Sequence, residues 1–118
     1  MSGGPPRRAL LVRGARPWAV PCALISEIMP LPSVTPLPGA APDTLGVAWI
    51  RNRIRRVGRW SGGGGGDAAL RHVLVTDGDA CCIAASGRID LVDPDDVPEG
   101  TAWLDAEALV GIGGGGPA

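Results

Sequence analysis

Apolar positions along this chain come in short runs broken by Gly, Pro, Asp or Arg, the punctuation of small sheets rather than of helical bundles. "ALLVRGARPWAVP" sets two such runs either side of Arg13-Gly14-Ala15-Arg16, where Gly14 can take a positive φ, and predicts a hairpin. "TLGVAWI" alternates, with Leu45, Val47 and Trp49 on one face and Gly46, Ala48 and Ile50 on the other, whose small residues imply close packing. Arg51-Asn52 can turn the chain, Asn tolerating left-handed backbone, so that "RIRRV" returns antiparallel. Ile54 and Val57 fall out of phase there, which predicts a bulge near Arg55-Arg56 or an exposed edge. "HVLVTDGDACCIAAS" is a hairpin about Asp77-Gly78, and "RIDLVDPDDVP" is a strand with Ile89 and Leu91 on one face, stopped by Asp93-Pro94.

Two segments read as helical. In "CALISEIM" Leu24 with Ile28, and Ile25 with Met29, sit at i, i+4 spacing, which favours a short helix bounded by Pro21 and Pro30. In "WLDAEALVG" Asp105 is placed as an N-cap and Gly111 as a stop. About seven short strands with brief helices make an all-β pattern of small sheets or barrels. Between the two regions of pattern lies "PLPSVTPLPGAAP", in which Pro30, Pro32, Pro36, Pro38 and Pro42 fix φ and hold their predecessors extended. It predicts a rigid strap rather than a loose loop.

Composition narrows the function classes. The 118 residues suit one domain, and with no Phe or Tyr the core must be largely aliphatic. All basic residues are arginine, so Schiff-base chemistry and a phosphate-loop lysine are absent. Residues 1–60 carry the arginine excess and residues 61–118 the acids, a split that either steers two partners or draws the two halves together. Cys22 and the adjacent Cys81 and Cys82 form neither a disulfide framework nor a metal spacing, which fits a reduced cytoplasm. No apolar run reaches the length of a bilayer span or a secretory core, so the chain reads as unexported.

No catalytic set, cofactor site or metal site emerges. His72 is the sole histidine and heads an apolar strand; Cys81 and Cys82 point to opposite faces of theirs and read as small buried hydrophobes. Asp77-Gly78-Asp79 is accounted for by turn chemistry, and Asp93, Asp95 and Asp96 by a solvated turn. Binding is the better expectation.

The order "ISEIMP", "VTPLPGAAP", "LGVAWIRN" and later "LVDPDDV" and "WLDAEALV" resembles the CheW-like domain, the coupling module of bacterial chemotaxis arrays. The likeness is tight over residues 9–54 and looser over 71–110. It implies two small SH3-like barrels, no enzyme activity, no cofactor and no small-molecule substrate. It implies as partners a histidine kinase regulatory domain and the cytoplasmic tip of a chemoreceptor. By position, Arg51 matches the arginine of the family's Leu-Arg-Gly turn, with Asn52 in place of the glycine. Ile28, Met29, Leu31 and Val34 would be apolar anchors in a groove that the strap shapes in advance, although all four equally suit core positions.

The chain departs from the family pattern in its arginine-rich return strand, in "SGGGGG" where a helical segment is usual, and in a shortened C-terminal half that leaves the second barrel incomplete. The expected organisation is an arm at 1–8, a single domain over 9–112 and a tail at 113–118. Within the domain a first half at 9–60 and a second at 68–112 flank a glycine linker at 61–67. Two further readings stay open: a degenerate relative binding one partner, and a small barrel binding nucleic acid through Arg51, Arg53, Arg55, Arg56 and Arg59.

Overall fold

The computed structural model describes residues 8–14, 16–60, 70–78 and 80–112. The glycine linker and the tail lie outside the described residues, as does the arm apart from Arg8, whose carbonyl accepts from Cys22 N at 3.0 Å. The described chain is all-β, in two sheets. One is four-stranded and built from β1 (Ala9–Arg13), β2 (Trp18–Pro21), β8 (Arg88–Val92) and β9 (Ala102–Trp103), in the order β8-β1-β2-β9. The other is five-stranded and built from β3 (Ile25–Pro30), β4 (Thr44–Ile50), β5 (Arg53–Gly58), β6 (His72–Thr76) and β7 (Cys82–Ala85), in the order β3-β6-β7-β5-β4. Each sheet draws strands from both sides of the glycine run.

The uninterrupted apolar runs of β6 and β7 are strands buried on both faces, and they divide the molecule into two cores. Val73, Val75, Cys82 and Ala84 pack with Ala48, Ile50 and Val57 inside the five-stranded sheet. Leu74, Cys81, Ile83 and Ala85 pack with Leu10, Val12, Trp18, Val20 and Leu104 under the four-stranded one. Adjacent Cys81 and Cys82 therefore enter different cores, and burial pushes the Cys81 thiol up to about 11. The one α-helix among the described residues, α1 (Ala106–Val110), starts where Asp105 accepts from Ala108 N at 2.8 Å and ends at Gly111, and it buries Leu109 in the second core.

The strap closes the five-stranded sheet. Leaving β3, Leu31 N donates to Arg71 O at 2.9 Å; Thr35 N then donates to Val47 O at 2.8 Å, and Val47 N returns a bond to Thr35 O at 2.9 Å. Because the strap continues β3, one edge of the sheet is joined to β4, the other edge, and the sheet becomes a small barrel. Gly46 makes the approach possible: a Cβ there would lie 2.1 Å from the Thr35 carbonyl oxygen. The four-stranded sheet has no such closure among the described residues; its β9 has only two residues and the outer side of β8 pairs with no strand.

Three expectations require correction. The segment read as a helix over residues 22–29 is a single 3-10 turn at Cys22–Leu24 followed by β3, whose pairing with β6 overrides local propensity. With β9 it raises the strand count among the described residues to nine. Gly14 does not take a positive φ; its lack of a side chain serves close packing, since a Cβ would meet Ser86 Oγ at 3.0 Å. The phase break in β5 is no bulge at Arg55-Arg56, because pairing with β4 is regular from Val57 to Arg53 and the register shift lies between Thr44 and Gly46. Instead Arg55 takes the inward position.

Candidate interaction surface on the closed barrel

The β4–β5 hairpin turns through Arg51 at φ 54° and Asn52 at φ 65°, a two-residue loop with both centres left-handed. Such turns match strand twist, and Asn tolerates the geometry; Arg at the first centre is the unusual choice. The turn holds Arg51 over β3, where its Nε donates to Glu27 Oε1 at 2.5 Å and its Nη2 to Glu27 Oε2 at 2.6 Å. This fork uses one edge of the guanidinium, and the Arg51 side chain remains 71% accessible. The hydrogen bonds from Arg51 hold the Glu27 carboxyl below its ordinary range, against a weaker opposing effect of desolvation.

Trp49 and Ile54 stand opposite one another across the hairpin and are 66% and 63% exposed. They form an apolar ridge with a shallow concavity on each side. On one side lie Glu27, Met29, Arg51 and Asn52; on the other lie Pro32, Ser33, Thr35 and Val47 of the strap and β4. Ridge and concavities join an ion pair, an aromatic side chain and a proline-stiffened wall on one face of the barrel.

The residues singled out from the sequence divide between this surface and the interior. Met29, Arg51 and Asn52 line the first concavity. Leu31 and Val34 are partly buried against the barrel core, as is much of Met29. Ile28 is exposed but lies on the opposite face of β3 from Glu27 and Met29. Glu27, Trp49 and Ile54 belong to this surface and are not among the partner contacts that the sequence suggests. The alternation of β4 had already set Trp49 on the face away from Gly46, Ala48 and Ile50, and that was the available signal.

The five arginines of the hairpin region do not form one patch. Arg55 is 8% exposed, and its Nη2 donates to Thr76 Oγ1 at 3.0 Å, Thr76 O at 3.1 Å and Ala80 O at 2.7 Å. It fastens the β6–β7 turn to the end of the barrel. Arg53 Nη2 donates to Gly78 O at 2.6 Å in the same turn.

No protein-family model matches the chain, and no curated protein matches it. Among solved structures, it is similar to the scaffolding protein TtCheW from Thermoanaerobacter tengcongensis, with a TM-score of 0.61 and 15% identity, over 77% of this chain and 68% of that one. The fold is CheW-like. At that identity the likeness concerns backbone architecture alone, and the two-sheet arrangement with little helix agrees with it. In this CheW-like frame the strap and the Arg51-Asn52 turn both belong to the closed five-stranded barrel, together with β6 and β7 of the C-terminal half, while β8 and β9 fall in the four-stranded sheet.

Proposed function

We propose that this chain is a non-enzymatic adaptor of chemotaxis signalling that couples chemoreceptors to a histidine kinase in the cytoplasm through protein–protein contacts. The observation that carries the reading is the CheW-like fold combined with a rigid, partly apolar face on its closed barrel. Both walls of that face are set before a partner arrives: the strap is pinned by the Thr35–Val47 bonds, and Arg51 is held by Glu27. A preset surface loses little conformational freedom on binding, so its contact area converts more fully into affinity. Trp49 would be the central apolar anchor, and the open edge of the Arg51 guanidinium would donate to a carboxylate on the partner. Among the described residues no helix is long and apolar enough to cross a membrane, and the reading requires no insertion.

A second reading is favoured by the open sheet. With β9 of two residues and β8 unpaired on its outer side among the described residues, a surface that spans both sheets is reduced, and the chain would then engage one partner only. Nucleic-acid binding has less support, since Arg55 is buried, Arg51 is engaged by Glu27 and Arg53 by the Gly78 carbonyl.

Titration calorimetry of the purified chain against a kinase regulatory domain and, separately, a receptor-tip fragment tests these readings. The adaptor reading expects binding to both, weakened about tenfold or more by Arg51→Glu. Binding to one alone selects the single-partner reading. Indifference of both fragments removes the proposal.

A further inference from the structure

The four-stranded sheet ends at β8. Among the described residues this strand pairs with β1 alone, so the backbone groups along its other side face away from the sheet. Leu91 is 55% exposed on this strand. The two ends of the edge carry opposite charge. At its start Arg88 stands across from Arg13, both reaching Asp90, and Arg16 is exposed in the neighbouring turn. Just past its end Asp93, Asp95 and Asp96 are exposed. A strand edge that is basic at its head and acidic at its tail complements itself when run antiparallel.

We propose that β8 pairs antiparallel with β8 of a second copy of this chain, about a two-fold axis through Ile89, and so joins two four-stranded sheets into one continuous sheet. The register follows from charge. Residues opposed across an antiparallel pair share a face, so a two-fold axis normal to the sheet must pass through a residue rather than between two. An axis through Asp90 sets that carboxylate against its own copy. An axis through Ile89 sets Arg88 against Asp90 of the copy, and Asp90 against Arg88, while the acidic turn after β8 runs just past the basic head of the copy's strand. Charged side chains commonly guard an edge strand against pairing; here their order along the strand selects one partner, the same strand reversed.

A single short strand pair covers far less than the roughly 1,200 Å² of a stable interface, so the dimer is weak, with a dissociation constant on the order of 0.1–1 mM. Its dependence on opposed charges makes it sensitive to salt.

Sedimentation velocity of the full chain from about 10 μM to about 1 mM, at low salt and at about 0.5 M salt, tests this. The expected result is a rise toward dimer mass with concentration at low salt, suppressed at high salt, with hydrogen exchange of residues 88–92 slowing as the dimer forms. Arg88→Asp, which opposes two acids across the axis, abolishes the rise. Leu91→Lys, an exposed substitution on the same edge, weakens it independently, and the melting curve of each variant establishes that it is folded. A monomer at every concentration overturns the proposal, as does a dimer indifferent to salt and to both substitutions.

Discussion

Glu27 and Arg51 show how two side chains far apart in sequence fix one exposed charge. The carboxyl titrates below its ordinary value of 4.5, so the pair contributes to the folded state above about that pH, and the contribution disappears as pH falls through the folded-state value. Carboxyl-detected NMR should give a Glu27 midpoint below 4.5 that rises to the ordinary value or above it in Arg51→Glu, where a like charge replaces the cation; a midpoint at or above 4.5 in the unsubstituted protein contradicts the geometry. Arg55 is the opposite case, a guanidinium drawn inward by neutral acceptors at Thr76 and Ala80. Arg55→Ala leaves those carbonyls short of a donor and should cost about 2–4 kcal/mol in urea denaturation, whereas a loss under about 0.5 kcal/mol would mean that water replaces it freely. Neither contact was legible in the sequence. The sequence marks Arg55 as a phase error in its strand and as one of five arginines open to a nucleic acid, because its acceptors lie more than twenty residues further along.

At the scale of elements, legibility followed the distance over which each signal acts. The hairpins at Arg51-Asn52 and Asp77-Gly78, the cap at Asp105 and the stop at Gly111 depend on a few neighbouring residues, and the structure forms all of them. β3 depends on β6, nearly fifty residues later, and its Leu, Ile and Met spacing suited a helix equally well. The strap was recognisable as stiff from its prolines, but its function of closing a barrel appears only once Thr35 meets Val47. Gly46 carries that closure. Gly46→Ala drives a Cβ into the Thr35 carbonyl and should lower stability by about 2–4 kcal/mol, with accelerated amide exchange at Thr35 and Val47. A change below about 0.5 kcal/mol with both amides still protected would show that the strap yields without loss and is no structural wall.

Over the whole molecule, the uneven charge along the sequence is partly consumed within the fold. Strands from both halves interleave in each sheet, and Arg13 of the basic half binds Asp90 of the acidic half at 2.6 Å. What stays outward is asymmetric: a closed barrel with a preset face of Trp49, Ile54 and Arg51, and a sheet whose β8 edge pairs with no further strand among the described residues. Partner recognition is proposed for the first. Hydrogen–deuterium exchange on the chain with and without a saturating kinase regulatory domain or receptor-tip fragment tests that assignment most directly. Slowed exchange concentrated in residues 27–35 and 47–54, and diminished in Arg51→Glu, is the predicted result; binding that protects only residues outside these two segments would contradict it.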